Sequence, residues 1–298
     1  MRIMFKLCSG SSIVAWMLTC TSPLLAADLP TIPLWNKGLP EPTVQTAMPE
    51  RIELGKDGIS RRFNVSQPRL FVHQPTAEKR SQAAVVIVPG GGFARLSDEH
   101  EGRDVGEWFA KLGITAFQLA YRCPTTAHAE PNAGPVQDTQ RAVQVVREQA
   151  THWKIDTDKI GVLGFSAGGQ SAAIAATNEL RFKAETGSAV EHRPNFLLLL
   201  YPYRIYDDKA KALRADIQLD ARLPTTFIAQ CSDDTGSLPQ GSSLLFYELV
   251  SRKVPAEIHV YEKGGHGFGM RPRPNASGPT DWPLRAADWL KQHGWTAE

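Results

Sequence analysis

From about Arg61 onward, short apolar runs alternate with helix-like segments, and this alternation restricts the fold more than any other feature. Ala84–Val88 and Phe196–Leu200 are apolar without interruption, as in strands covered on both faces. Thr115–Tyr121, Ile160–Phe165, Thr226–Gln230 and Glu257–Tyr261 read as further strands. Between and after them, Glu99–Gly113, Gln137–Gln149, Ala167–Thr177, Leu244–Val250 and Pro283–His293 read as helices. In the first of these, Val105, Trp108, Phe109 and Leu112 share one face and Gly113 ends the segment. Strands separated by helices predict an α/β domain: a mostly parallel central sheet of about eight strands with helices on both faces. Phe63–Val65 and Leu70–His73, separated by Gln67-Pro68, predict an opening hairpin. Residues 202–225 predict a small helical cover.

With no internal repeat, low-complexity tract or linker, residues 28–298 of the 298-residue chain read as one domain. Residues 28–60 read as an extended N-terminal arm, with five prolines between positions 29 and 50. Residues 1–27 read as a secretory signal peptide: Arg2 and Lys6, an apolar run around Ile13–Leu18, then Pro23 and the small pair Ala26-Ala27. Cleavage after Ala26 or Ala27 places the protein outside the cytoplasm, in the periplasm or beyond. The apolar run is too short to span a bilayer, and no later segment is long enough.

Charge narrows the partners. Arg2 and Lys6 account for the whole formal excess of +2, and beyond them basic and acidic residues are equal in number. No basic face for a phosphate backbone is implied, so nucleic acid is excluded as a partner. Oligomeric state is not legible. Beyond residue 27 only Cys123 and Cys231 remain. They fall at the ends of strands set too far apart for a disulfide, and read as unpaired thiols. Neither belongs to a cluster with metal-ligand spacing, so no metal or other cofactor is called for.

The Ile160–Phe165 strand runs directly into Gly164-Phe165-Ser166-Ala167-Gly168, a complete G-x-S-x-G pattern. A serine on such an elbow needs a base and a group that orients the base. Of the eight histidines, only His266 lies in a glycine-lined loop after a strand, in Lys263-Gly264-Gly265-His266-Gly267-Phe268-Gly269. His73, His100, His128, His152, His192 and His293 fall in loops or on helix surfaces, where solvated or capping roles are expected. His259 lies within a strand. The acid falls after the preceding strand, in Ser232-Asp233-Asp234-Thr235. Adjacent side chains in an extended segment point opposite ways, so one aspartate faces the base. Asp234 is preferred, with Asp233 left to cap the turn, and the choice stays open at this level. Pro89-Gly90-Gly91-Gly92-Phe93 follows the Ala84–Val88 strand. Backbone N–H groups of Gly91 and Gly92, with that of Ala167, are candidate oxyanion donors. The same glycine run lacks the G-K-[ST] and the spacing of nucleotide-binding loops.

These stretches, with Ile32–Gly38, Glu101-Gly102, Leu119-Ala120-Tyr121-Arg122 and Gly169, resemble the α/β-hydrolase superfamily. Within it the chain is similar to secreted bacterial esterases of the hormone-sensitive-lipase-like and acetylxylan- and feruloyl-esterase-like groups. The order Ser, Asp, His is that of the superfamily. The resemblance implies Ser166 as nucleophile, His266 as base, Asp234 as acid, Gly91, Gly92 and Ala167 as oxyanion donors, and Asp138 as a structural aspartate. Three departures stand out: Pro89 where many relatives carry the His of an HGGG motif, Gln170 where a His often follows the second glycine, and a longer acid loop.

The implied activity is hydrolysis of carboxylic esters through an acyl-enzyme, on short acyl groups (acetyl or feruloyl) of plant carbohydrate such as xylan. A serine peptidase of the same fold is the enzymatic alternative, although the chain has no room for the propeller or cap domain those enzymes use. A non-catalytic carbohydrate-binding protein that kept the fold is the other.

Overall fold

The computed structural model describes residues 29–44, 48–183, 190–219, 222–271 and 279–297. The signal-peptide reading of residues 1–27 therefore lies outside the described residues.

In chain order the strands and helices open with β1 (Thr31–Pro33), β2 (Arg51–Leu54), β3 (Ser60–Phe63), β4 (Arg69–His73) and β5 (Ala84–Val88). Then come α1 (Asp104–Lys111), β6 (Thr115–Ala120), α2 (Ala133–Glu148), α3 (Ala150–Trp153), β7 (Ile160–Phe165) and α4 (Ser166–Thr177). The chain continues through β8 (Phe196–Leu200), β9 (Tyr206–Asp207), β10 (Ala212–Leu213), β11 (Thr225–Cys231), α5 (Pro239–Ser251), β12 (Ala256–Tyr261) and α6 (Trp282–Gln292). A π-helical turn, Glu99–Arg103, leads into α1.

Eight strands form one sheet in the order β1-β4-β6-β5-β7-β8-β11-β12. All neighbours from β6 to β12 pair in parallel, whereas β1–β4 and β4–β6 are antiparallel. Side chains alternate across the sheet, so β5 divides its apolar run between two cores. Ala84, Val86 and Val88 join α2, α4 and α5 on one face. Val85 and Ile87 join Val105 and Phe109 of α1 and Trp282, Ala286 and Trp289 of α6 on the other. Burial on both faces is why β5, β7 and β8 are apolar throughout.

Three local expectations are corrected. Phe63 and Leu70 do not face each other in a hairpin: β3 pairs with β2 in a separate two-stranded sheet, and β4 enters the main sheet between β1 and β6. Asn64, at φ +59°, redirects the chain between them, and Val65 bridges to Cys123 instead. Residues 202–225 supply no helical cover among the described residues; they carry the two-residue ribbon β9–β10. The helix expected from Glu99 begins with the π turn, and Gly113, at φ +83°, follows its end.

The N-terminal segment is tied down rather than merely laid on the surface. β1 extends the sheet at β4. Behind it, fully buried Asp138 accepts hydrogen bonds from Trp35 Nε1 (2.8 Å), Arg122 N (2.9 Å), Arg122 Nε (3.0 Å) and Arg122 Nη2 (2.6 Å). Arg122 Nη1 donates onward to the carbonyls of Pro40 and Pro42. A buried ion pair is tolerated when its remaining hydrogen-bonding capacity is filled in this way.

Candidate active site

β7 ends at Phe165 and Ser166 opens α4 at φ +48°. Left-handed backbone at a residue with a Cβ stores strain, and here it turns the hydroxyl off the end of the strand. The elbow needs α4 to lie hard against the sheet. A Cβ on Gly168 would sit 2.1 Å from the Val88 carbonyl oxygen, and one on Gly164 2.6 Å from that of Gly168. Gly164 therefore serves helix packing, while the turn's strain falls on Ser166 itself.

Ser166 Oγ lies 2.7 Å from His266 Nε2, and His266 Nδ1 lies 2.8 Å from Asp234 Oδ2. These three side chains come from the ends of β7, β11 and β12, brought together because the strands are parallel and near neighbours. Asp234 is buried, and each of its oxygens is occupied. Oδ2 also accepts from Gln230 Nε2 (3.1 Å), and Oδ1 from the amides of Gly236 and Ser237, both at 2.8 Å. Such donors offset the desolvation of a buried carboxylate and leave one lone pair directed at the imidazole. Asp233 faces the other way, onto the histidine loop, accepting from Gly265 N (2.7 Å) and Gly264 N (3.2 Å). Those backbone N–H groups hold its carboxyl below the usual carboxylate range.

The glycine loop after β5 lies against the serine: a Cβ on Gly90 would be 2.8 Å from Ser166 Cβ. The Gly90 carbonyl accepts from Ser97 N, and the Gly91 carbonyl from Ala94 N and Arg95 N. In a planar trans peptide the carbonyl and the following N–H point to opposite sides. The N–H groups of Gly91 and Gly92 are thereby turned away from the inside of this loop. Ala167 N–H, in the first turn of α4, has no acceptor within the helix.

Several residues near the site had no role in the sequence reading. Gln230 orients Asp234, with its own Oε1 taken by Ser242 Oγ at 3.0 Å. Gln170, one of the departures noted above, donates to the Tyr203 carbonyl at 2.8 Å, while Tyr203 N donates to the Ser166 carbonyl at 2.8 Å. Glu101 and Tyr201 are both buried and hydrogen-bonded to each other at 2.7 Å. Among the acids of Asp98-Glu99-His100-Glu101, only the Glu101-Gly102 match to the superfamily set Glu101 apart, and that match gave it no role. The solvated roles are corrected for His73, His100 and His192, because all three are buried, while His192 sits at the C-terminal end of α4, where the capping role also expected is met. His73 meets Gln118 and His192 meets the Asn178 carbonyl, each inside the packing of a neighbouring segment.

Cys123 and Cys231 are free and buried, and burial pushes both thiols up to about 12. Neither is a thiolate nucleophile at neutral pH. Among the described residues no group of three or more His, Cys, Asp or Glu is arranged to hold a metal ion, and no helix is long and apolar enough to cross a membrane. Beside the acid loop, an open groove of about 1480 Å³ runs from Thr235 and Gly236 past Tyr203 and Tyr206 to Asn132 and Asp216.

The sheet order, the serine elbow and the hydrogen-bonded Ser–His–Asp chain define an α/β hydrolase. The chain has the α/β-hydrolase fold, and its residues 70–196 match the BD-FAE family model. It is 31% identical over 217 residues to an acetylxylan esterase of Xylanibacter ruminicola, across 65% of this chain and 42% of that protein. It is 27% identical to endo-1,4-beta-xylanase B of Butyrivibrio fibrisolvens, across 67% of this chain and 34% of that one. The chain thus spans less than half the length of both curated relatives. Among solved structures, an acetyl ester-xyloside bifunctional hydrolase from Caldicellulosiruptor lactoaceticus superposes with a TM-score of 0.66 at 26% identity. That match covers 93% of this chain and 100% of the hydrolase. An esterase of Thermogutta terrifontis shares the fold, at 22% identity and a TM-score of 0.66 over 84% of this chain and 96% of its own.

Proposed function

We propose that the protein is an exported serine carboxylic-ester hydrolase acting on short acyl esters, acetyl or feruloyl, of plant carbohydrate such as xylan. The observation that carries the reading is the continuous chain from Ser166 Oγ through His266 to buried Asp234. His266 Nε2 takes the Ser166 proton as Oγ attacks the ester carbonyl, and Asp234 stabilises the resulting imidazolium. The N–H groups of Gly91, Gly92 and Ala167 receive the negative charge that develops on the carbonyl oxygen. Collapse of the tetrahedral species breaks the ester C–O bond, and His266 returns its proton to the departing alcohol. Water then attacks the acyl-enzyme with His266 again as base, releasing the carboxylic acid and restoring Ser166.

The substrate class rests on two supports. The similarities to an acetylxylan esterase and to an acetyl ester-xyloside hydrolase favour an acylated saccharide. The groove beside the acid loop is open and lined by apolar, charged and amide groups together, with Tyr203 and Tyr206 along it; aromatic faces and hydrogen-bonding groups together suit sugar rings. Export rests on the character of residues 1–27, and mass spectrometry of the exported protein should find a chain starting at Ala27 or Asp28.

Ser166→Ala should abolish hydrolysis of p-nitrophenyl acetate and labelling by a fluorophosphonate. Undiminished turnover in that variant would sink the mechanism. Absence of labelling in the folded wild type would favour a non-catalytic binding protein. Rates on acetyl, butyryl, octanoyl and feruloyl esters and on acetylated xylan identify the acyl group and the alcohol.

A further inference from the structure

We infer that Glu101 and Tyr201 form a positioning couple that holds the glycine loop after β5 and the His266 loop in one register; the inference rests on the serine-esterase reading. Glu101 belongs to the π-helical turn between the glycine loop and α1, and only 3% of its surface is exposed. Its Oε2 accepts the Gly90 N–H at 2.8 Å, and its Oε1 accepts the Tyr201 hydroxyl at 2.7 Å. Tyr201 Oη in turn accepts the Gly269 N–H at 3.0 Å, three residues beyond His266. One hydrogen-bonded path therefore runs from the proposed oxyanion loop to the loop of the proposed base.

Both ends of the path are tightly built. A Cβ on Gly90 would lie 2.7 Å from Glu101 Oε2, so this approach needs the glycine. The Gly269 carbonyl accepts from Trp282 Nε1 at 2.8 Å, and His100, the neighbour of Glu101, accepts the Met270 N–H through its carbonyl. The Tyr201 ring stands edge-on to the His266 imidazole, with centroids 5.1 Å apart. Gly90 N–H is committed to Glu101, which holds the first peptide of the glycine loop in place.

The chemistry selects a carboxylate. Both hydrogen-bonding partners of Glu101 donate to it, with His100 Nε2 a further 3.6 Å from Oε1, and a carboxylate accepts at both oxygens. A glutamine of the same shape would set its NH₂ against one donor. Burying a carboxylate is costly, and a packing role alone would be met by an apolar side chain. The π turn that presents Glu101 is a rare geometry, frequent at functional sites.

The test uses Glu101→Gln, Tyr201→Phe and the double variant. With p-nitrophenyl acetate, each single change should lower kcat by about 10- to 100-fold while leaving KM nearly unchanged, because misplaced donors weaken the transition state more than ground-state binding. The double variant should be little worse than the weaker single one, since both changes break one path. Fully multiplicative losses, or kcat unchanged in Tyr201→Phe, overturn the inference. A second readout does not depend on activity: in protein labelled with ¹⁵N-glycine, Tyr201→Phe should shift the amide resonances of both Gly269 and Gly90. A Gly90 resonance that stays in place overturns the coupling, even if Glu101→Gln fails to fold. Wild-type protein with neither turnover nor fluorophosphonate labelling would retire the esterase reading alone, and the Gly90 shift would still decide the coupling.

Discussion

Asp233 and Asp234, adjacent in the chain, hold the His266 loop from two directions. Asp234 Oδ2 meets the imidazole at 2.8 Å, and Asp233 Oδ1 meets the Gly265 amide at 2.7 Å. One aspartate orients the ring and the other the backbone that carries it. Asp234→Asn should lower kcat for p-nitrophenyl acetate by about 10⁴-fold, because the amide favours the wrong imidazole tautomer. Asp233→Asn keeps the side chain's shape and one acceptor oxygen, and its loss should stay within about ten-fold, as for a group acting only through orientation. Steady-state kinetics of the two variants compare them directly; equal losses would contradict this division.

The left-handed backbone of Ser166 predicts an exchange of stability for activity. Ser166→Gly relieves strain of about 1–3 kcal/mol, against about 0.4–1 kcal/mol for glycine's extra freedom in the unfolded chain. The glycine variant should therefore be inactive and at least as stable as Ser166→Ala, which keeps a Cβ at φ +48°. Urea denaturation of the two inactive variants makes the comparison. A glycine variant clearly less stable than the alanine one would show that the turn is unstrained.

The buried thiol of Cys123 predicts alkaline sensitivity. Its folded value of about 12 lies above that of an unfolded cysteine. The protonated form is thus favoured by folding, and the associated stability is fully present below the unfolded value. It declines as pH rises from about 8.5 towards about 12. At pH 10 the loss should approach about 2 kcal/mol. Urea midpoints between pH 7 and 10 should fall less steeply in Cys123→Ala than in wild type. An unchanged slope would mean that this thiol does not contribute.

Asp138 and Arg122 are both fully buried, so removing one leaves the other's charge without a partner. Asp138→Ala should cost about 3–5 kcal/mol. It should also loosen residues 35–42, since Arg122 carries the Pro40 and Pro42 contacts. Hydrogen exchange across that segment, alongside a denaturation curve, reads both effects. Rapid exchange without loss of stability would separate the arm from the ion pair.

Much of the fold was legible because buried parallel strands need apolar residues on both faces. Ile160–Phe165 and Phe196–Leu200 coincide with their expected limits. The edge was harder to read. β1 is three residues long, and nothing within Thr31–Pro33 announces that its partner is β4, nearly forty residues away. The expected hairpin failed for the same reason: Phe63 and Leu70 are close in sequence, but each found a better partner in a different sheet.

The sequence by itself determined the central α/β alternation, the serine at a strand-to-helix junction and the histidine in a glycine-rich loop. Each of these is written in residues next to one another. Only the tertiary structure decided that Gly164 serves packing while Ser166 carries the turn, and which way each member of Asp233-Asp234 points. It alone revealed that Glu101 and Tyr201, a hundred residues apart, share a hydrogen bond. Local patterns follow from helix and strand periodicity. Hydrogen bonds across loops depend on how parallel strands bring distant ends together, and no short stretch of sequence records that.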